Sequence, residues 1–417
     1  MELKPKAYEK IVQLMQKGVD IPNPLTLDIG EEVKAEHISG KGVRIYPGCR
    51  IYGKQTVIAS GAQLGREGPV TVEDCEIGPK VELKGGYFKK SVFLEKANMG
   101  FGAHVREGCI LEEEAGGAHC VGLKQTILFP FVTLGSLINF CDCLMAGGTS
   151  RKDHSEVGSS YIHFNFTPTG DKTTASLIGD VPRGVMLNQP AIFLGGQGGI
   201  VGPLRLGYGN VIAAGTVLRQ DIAEENKLII GKPQRSGVVP RTPNAYFSLS
   251  RIVQNNYLYL ANLSALEAWY TDVRKGFFED QEFGDLLYAG LLEKVGLARE
   301  ERIKRLKAMA EKMPKPDANA GSKESVSSGK REFAKHVDQA CALFSNLSGM
   351  GAGADHRERF LSAFGEHKRN NGGSYIEVVK SLPADISQAG TLWLENIVRG
   401  LSAQVGALFP SLDLFRK

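Results

Sequence analysis

The side chains best suited to acid–base chemistry lie in a short charged segment, residues 146–155. His154 is followed two residues later by Glu156 and preceded by Asp153, and either carboxylate could orient the imidazole or raise its pKa. A second histidine, His163, follows shortly afterwards in the sequence. We consider both histidines as candidate general bases, against the alternative that they are ordinary surface or wall residues.

Two basic residues, Arg151 and Lys152, precede His154 in the same segment. Their cationic groups could bind an anion such as a phosphate, although a plain solvated loop explains them equally well. We therefore take Arg151 and Lys152 as candidate substrate-binding residues.

A metal site is the alternative use of the polar residues in this part of the chain. Cys141 and Cys143 could bind zinc together with Cys120, His119 and His154, since zinc accepts mixed cysteine and histidine ligands. Small cysteines at repeat positions are, however, common in packed interiors. We therefore expect no metal.

The elements that must position these side chains follow a period of six residues. A bulky apolar residue recurs at Phe93, Met99, Val105 and Leu111, with a small residue four places later each time. The frame returns over residues 128–144 and 206–218, and earlier stretches fit it less strictly. A period of six fits neither a helix nor a single alternating strand. It fits a short strand followed by a turn, with three units in each triangular coil, and predicts a β-solenoid over residues 38–235.

The repeat is interrupted in several places, where loops should leave the solenoid and carry function. We expect such breaks at residues 116–126, 146–155, 167–176 and 181–190. The acidic run of Glu112 to Glu114 is expected on the solvated face.

The rest of the chain predicts helices. Residues 1–37 form a lead-in with an amphipathic helix that ends at Gly18, and residues 236–417 have apolar residues at helical spacing. We expect helices at residues 248–278, 283–295, 299–312, 330–347, 356–364, 375–382 and 390–408. A polar, flexible linker is expected at about residues 314–330. The helical region could cover the end of the solenoid or bind a protein partner.

Composition excludes several classes. The net charge of the 417 residues is only +4, which gives no indication of a nucleic-acid partner. No apolar run approaches the roughly 18 residues of a membrane span. Seven cysteines without a disulfide-framework spacing predict reduced thiols and a cytoplasmic protein.

Two segments carry a resemblance to a known family. Residues 193–222, FLGGQGGIVGPLRLGYGNVIAAGTVLRQDI, resemble the last coils of bifunctional UDP-N-acetylglucosamine pyrophosphorylase/glucosamine-1-phosphate N-acetyltransferase. Residues 156–180, EVGSSYIHFNFTPTGDKTTASLIGD, resemble a loop-bearing coil of the same enzyme. The resemblance implies a left-handed parallel β-helix of hexapeptide repeats and a homotrimer.

The resemblance also implies site residues. Asn165 matches a sugar-contacting asparagine and Lys172 a lysine near the substrate. Ala214 would lie beside acetyl-CoA or another acyl-CoA, with Lys232 or Arg235 near its phosphates; Gly196 replaces a serine that contacts this co-substrate.

One departure concerns the base. The family's histidine, which takes the proton from the attacking amine, is replaced in the matching stretch, where this chain has Asn139 and Phe140. His154 or His163 would have to substitute for it. Only about 37 residues precede the solenoid, so nucleotidyl transfer is not expected on this chain.

The sequence therefore predicts an acyltransferase-like protein that acts on a nucleotide sugar or sugar phosphate. The alternative is a non-catalytic nucleotide-sugar-binding or scaffold protein that has lost the base. A metal-assisted lyase or anhydrase on the same solenoid would need three convergent histidines from adjacent subunits, and the eight in this chain lack the required spacing.

Overall fold

The computed structural model describes residues 4–232, 236–238, 240, 244–313, 328–345 and 354–415. Within them the chain forms a parallel β-solenoid of about 11 turns, followed by helices, so the predicted fold class is confirmed. Arg235 and most of the expected linker at 314–330 lie outside the described residues.

The strands are short and follow one another around the solenoid. The first fourteen are β1 Asp28–Ile29, β2 Arg44–Ile45, β3 Arg50–Tyr52, β4 Val57–Ile58, β5 Gln63–Leu64, β6 Val70–Glu73, β7 Glu76–Ile77, β8 Glu82–Leu83, β9 Gly86–Lys89, β10 Ser91–Phe93, β11 Asn98–Met99, β12 Ala103–Val105, β13 Cys109–Leu111 and β14 Gly116–Gly117. The remainder are β15 Gly122–Leu128, β16 Thr133–Leu134, β17 Asn139–Met145, β18 Gly148–Ser150, β19 Asp153–His154, β20 Glu156–Val157, β21 Ile162–Phe164, β22 Ser176–Ile178, β23 Phe193–Leu194, β24 Gly199–Val201, β25 Arg205–Leu206, β26 Val211–Ile212, β27 Val217–Leu218 and β28 Leu228–Ile229.

The strands stack into three parallel faces. Face A contains β2, β5, β8, β11, β14, β16, β20, β23, β26 and β28. Face B contains β1, β3, β6, β9, β12, β21, β24, β27 and the first halves of β15 and β17. Face C contains β4, β7, β10, β13, β22, β25 and the second halves of β15 and β17. The chain passes from A to B to C in each coil, which defines an AB, a BC and a CA corner.

The sixfold pattern has the structural meaning that we predicted from it. Phe93, Met99, Val105 and Leu111 lie in consecutive strands on faces C, A, B and C, and all four side chains are buried. The small residues that follow them, such as Ala97 and Ala115, are buried at the corners. Because each coil adds one strand to every face, burial depends on stacking rather than on any single coil.

The predicted breaks are confirmed at three of four places. A hairpin of β18 and β19 leaves the CA corner, a loop leaves the BC corner between β21 and β22, and a segment with the short helix α2 (Val181–Gly184) leaves the CA corner again. The break expected at residues 116–126 is wrong, since β14 and β15 continue the parallel ladders there.

The N-terminal helix, α1 (Tyr8–Lys17), ends at Gly18 as predicted, with Gly18 in the left-handed conformation at φ 109°. Its Ile11 and Leu14 are buried, and Lys17 Nζ donates to the carbonyl of Ile38 at 2.6 Å. The helix thus joins the core at the first coil.

The helical region comprises α3 (Leu249–Trp269), α4 (Gly284–Glu311), α5 (Ser328–Ala342), α6 (Ala354–Asn371), α7 (Tyr375–Lys380) and α8 (Ala384–Leu408). A π-helical turn, Tyr270–Arg274, and a 3-10 turn, Lys275–Phe277, extend α3. The two helices expected at 283–295 and 299–312 are one continuous helix, α4. Gly296 between them does not end it, since a single glycine costs a helix only about 1 kcal/mol.

The helical region packs along face C rather than over the end of the solenoid. Helix α4 contacts β7, β10 and β13, and α3 contacts β22. Lys294 of α4 is fully buried and lies 2.9 Å from Glu76 of β7, while Arg274 Nη2 lies 2.7 Å from Glu113 Oε1. The expectation that Glu112 is solvated is wrong. It is 2% exposed and accepts a hydrogen bond from Tyr270, because the helices cover this corner.

Candidate functional site

The outer surface of face B has an open groove of about 590 Å³. His104 of β12, Gly122 of β15 and Asn139 of β17 lie side by side in register across it. Arg106, which directly follows β12, lines the same groove, and both His104 and Arg106 are exposed. A guanidinium with this access can form paired hydrogen bonds with a phosphate or carboxylate.

A second basic residue, Lys124 of β15, lies next to this groove. Its Nζ lies 2.7 Å from Glu107 Oε1. Burial opposes ionisation of Glu107, but the hydrogen bond and charge of Lys124 outweigh it and lower the pKa of that carboxyl. The ring of His104 packs at 5.1 Å from that of Tyr87 in the preceding coil. The groove therefore combines cationic, aromatic and hydrogen-bonding groups, which suits a polar anion.

The BC loop, residues 165–175, begins at the edge of face B, three coils after Arg106 in the direction of the C-terminus. Asn165 and Lys172 are both half-buried in it, and Lys172 has a left-handed backbone at φ 58°. The amide of Lys172 donates to Thr167 Oγ1 at 3.1 Å, and its carbonyl accepts from Arg302 of α4 at 3.0 Å. The two residues assigned to the sugar thus lie in one loop beside face B.

The residues assigned to the acyl donor stack along the AB corner. Gly196 follows β23, Ala214 follows β26 and the exposed Lys232 follows β28. The amide of Gly215 donates to the carbonyl of Gly196 at 2.9 Å, which joins Gly196 to the residue that follows Ala214. A Cβ on Gly196 would lie 2.7 Å from the carbonyl oxygen of Ser159, so the family's serine does not fit here without a shift of backbone.

The hairpin at the CA corner carries Arg151, Lys152 and His154. Arg151 Nη1 donates to the carbonyls of Glu114 and Phe131, which fastens the hairpin to the preceding coils. The side chain of Lys152 has no polar partner within the part of the chain that the structure describes.

His154 has a defined environment in this hairpin. Its Nδ1 lies 2.9 Å from the carbonyl of Arg151, and its Nε2 lies 3.8 Å from Glu156 Oε2. Because a carbonyl can only accept, Nδ1 carries the proton in the neutral ring, and Nε2 has the free lone pair. That is the tautomer a general base needs at Nε2.

His163 faces the interior of the solenoid and is 1% exposed. Its Nε2 lies 2.8 Å from Ser176 Oγ, and its ring packs edge-on against Phe140. Burial, with the positive charge of Arg302, lowers the pKa of His163 to about 3. His163 is therefore neutral and out of reach of solvent, which leaves His154 as the accessible one of the two candidate bases.

Asn139 and Phe140, which stand at the family's base position, diverge. Asn139 faces the groove on face B, while Phe140 is fully buried against Tyr161 and His163. The two cysteines that we weighed as alternative zinc ligands, Cys141 and Cys143, also point to different sides of the wall. Asp142 at φ 56° turns β17 around the BC corner, so Cys141 and Cys143 belong to different faces. No group of three or more metal-ligating side chains was found among the described residues.

The predicted site residues thus fall into separate places. The AB corner and the BC loop flank face B, whereas the hairpin with His154 lies at the CA corner, on the opposite edge of the same chain. Sequence reasoning missed His104, Arg106 and Lys124. Arg106 and Lys124 stand eighteen residues apart, one full coil, and each follows an interior apolar residue, so the repeat itself carried the signal.

The structure is thus that of a parallel β-helix protein with a polar groove on one face. Proteins named bifunctional protein GlmU match this chain. That of Thermotoga maritima is 28% identical over 214 residues, which are 51% of this chain and 42% of that protein. That of Trichlorobacter lovleyi is 28% identical over 224 residues, 54% of this chain and 43% of that protein.

A third relative, from Carboxydothermus hydrogenoformans, is 27% identical over 216 residues, 52% of this chain and 43% of that protein. The chain spans less than half the length of these curated relatives, and no protein-family profile matches it. The comparisons agree with the resemblance found in the sequence, and they relate this chain to GlmU at the level of the hexapeptide-repeat fold. No described helix is long and apolar enough to cross a membrane.

Proposed function

We propose that this chain is an acyltransferase-like protein that binds a sugar phosphate or nucleotide sugar on face B. The observation that carries the proposal is the groove with Arg106, His104 and Asn139, beside Lys124. These groups provide charge for a phosphate and hydrogen bonds for sugar hydroxyls. Asn165 and Lys172, in the BC loop farther along the same face, would extend the contact to the sugar.

The acyl donor, acetyl-CoA or another acyl-CoA, would lie along the AB corner. Gly196 and Ala214 present backbone and a small side chain there, and Lys232 or Arg235 would meet the phosphates of the donor. Donor and acceptor sites would then flank one face, so that binding aligns the thioester with the acceptor. The protein would act as a homotrimer in the cytoplasm, where its seven free thiols stay reduced.

In the acyl-transfer step, the acceptor amine or hydroxyl attacks the thioester carbonyl, the C–S bond breaks and the CoA thiolate leaves. A base must take the proton of the attacking group. Nε2 of His154 has the required lone pair, but within one chain it lies at the CA corner. His154 would therefore serve a groove formed with a neighbouring subunit, and its charged neighbours Arg151 and Lys152 would bind the same polyanions.

The proposal is tested by ligand-induced thermal stabilisation of the full chain with glucosamine-1-phosphate, UDP-N-acetylglucosamine and acetyl-CoA. Replacing Arg106 by Gln removes a charge-assisted contact worth about 1.5–3 kcal/mol, which is roughly a tenfold to hundredfold loss of affinity for the phosphorylated ligand. Arg66→Gln, an exposed arginine at another coil, is the control and should bind normally. Equal affinity of Arg106→Gln and wild type would place the ligand elsewhere.

A non-catalytic nucleotide-sugar-binding protein is the second candidate. Phe140 at the family's base position and the burial of His163 favour it, because a phenyl ring has no basic group and the imidazole of His163 cannot reach an acceptor on the surface. The release of free CoA thiol in the presence of acceptor separates the two. Binding of the sugar ligands without a response to any CoA thioester would favour the binding protein, whereas thiol release that is lost in His154→Gln would favour the transferase.

A further inference from the structure

The BC loop is held from outside the solenoid. Four side chains from the helical region and the segment before it donate hydrogen bonds to this loop: Tyr246, Asn256, Arg302 and Lys312. Lys312 Nζ donates to the carbonyl of Thr169, and Asn256 Nδ2 donates to the carbonyl of Thr173 at 3.1 Å. The conformation of the loop is thus fixed by residues far away in sequence.

Asp171 is the centre of this loop and is fully buried. Its carboxylate accepts hydrogen bonds from Thr167 Oγ1, Thr169 Oγ1 and both the amide and the hydroxyl of Thr173. Tyr246 OH adds a bond at 2.9 Å from the helical side. Burial alone would raise the pKa of Asp171, but these donors outweigh it and lower that pKa. The carboxylate therefore ties the loop to Tyr246.

Arg302 of α4 forms the second anchor and is 2% exposed. Its Nη2 lies 3.3 Å from Asp142 Oδ1 at the BC corner, and its Nη1 donates to the carbonyl of Lys172. The left-handed backbone of Lys172 is uncommon for a residue with a side chain and persists where its surroundings hold it. Here the surroundings include a buried cation from the helical region.

We infer that the helical region is a working part of the ligand site, in which Arg302, Tyr246 and Lys312 act as positioning residues for the BC loop. This inference rests on the proposed function, since Asn165 and Lys172 of that loop are assigned there to the sugar. The region packed on face C therefore contributes to binding on face B by holding the loop that joins the two faces.

The test uses two mild variants of the full chain, Tyr246→Phe and Lys312→Met, which leave the buried pair of Arg302 and Asp142 intact. Lys307→Met is the matched control, because Lys307 lies in the last turns of α4, close in sequence to Lys312, and pairs instead with Asp338 of α5. Hydrogen exchange is measured at the amides of Gly170, Lys172 and Thr173, which are bonded within the loop. Affinity is measured with UDP-N-acetylglucosamine and with glucosamine-1-phosphate.

We expect at least fivefold faster exchange at these amides and at least fivefold weaker binding in both variants. The melting temperature should stay within the range of Lys307→Met. Exchange equal to that of the control, or faster exchange with unchanged affinity, would overturn the inference. If the wild type binds neither probe, the result contradicts the proposed function instead. The assignment of the BC loop to a ligand then also fails. That outcome differs from a wild type and variants that bind equally well.

Discussion

A neutral histidine inside the solenoid has a consequence for stability. His163 is a poor base toward solvent, with a pKa of about 3 against an ordinary value of 6.5. The unfolded chain binds a proton at this ring below about pH 6.5, whereas the folded chain does not until the pH is far lower. The stability that the neutral ring contributes is therefore present above pH 6.5 and is lost as the pH falls.

We predict a steeper loss of stability at acid pH in the wild type than in His163→Phe. Between pH 7 and pH 5 the wild type should lose about 2 kcal/mol more stability than the variant, since each pH unit below the unfolded pKa of 6.5 costs about 1.36 kcal/mol. Urea denaturation at pH 5, 6 and 7 measures it, and all other titrating groups are common to both proteins. Parallel pH profiles would contradict this prediction, because they would mean that the pKa of His163 is the same in the folded and unfolded chain.

At the scale of elements, a buried ion pair joins α4 to face C. Lys294 and Glu76 are both buried, and burial raises the pKa of Glu76 to about 7 while Lys294 opposes the shift. Gly290 of α4 allows this approach, since a Cβ there would lie 2.7 Å from the carboxyl carbon of Glu76. The charge of Glu76 is tolerated because Lys294 is present, and Lys294 Nζ also lies 2.9 Å from Glu293 Oε2.

We predict that Lys294→Met alone destabilises the protein by about 3–5 kcal/mol, because Glu76 is left buried and uncompensated. The double variant Glu76→Leu with Lys294→Met should cost clearly less than the two single changes added together. Lys307→Met, which removes an exposed pair on the same helix, should cost under about 1 kcal/mol. Additive effects of the two buried changes, measured by chemical denaturation, would show that the pair is not coupled.

The sequence predicts the solenoid well because the interior of each coil needs an apolar residue at a fixed place, as at Val105. It does not predict how the helices dock, because the residue type alone does not show whether a lysine such as Lys294 is buried or solvated. The same limit explains the error at Glu112. In the candidate site, the repeat predicts where Asn165 and Gly196 lie along the solenoid. It does not predict how far His154 lies from face B, because that distance depends on the corner from which each loop leaves the solenoid.

At the scale of the whole molecule, the three faces are unequal. Face C is covered by helices, whereas faces A and B keep apolar side chains exposed in the last coils. Phe193, Val211 and Leu228 form an outward row on face A, and Ile162 and Val217 lie in one outward row on face B. Both rows flank the AB corner, and exposed apolar side chains that cluster in this way are typical of a protein interface.

We predict that the chain is a trimer in solution and that these rows form its contacts. Sedimentation equilibrium should give about three times the 45.2 kDa of one chain. Val211→Glu places a charge in the centre of the row on face A and should shift the protein toward monomers, because an unpaired charge is costly to bury. Leu25→Glu, at an exposed apolar residue near the other end of the solenoid, should leave the trimer intact. A monomeric wild type would contradict the trimer, and His154 could then not reach a groove on face B of a neighbouring subunit. A trimeric Val211→Glu would place the contacts on another surface.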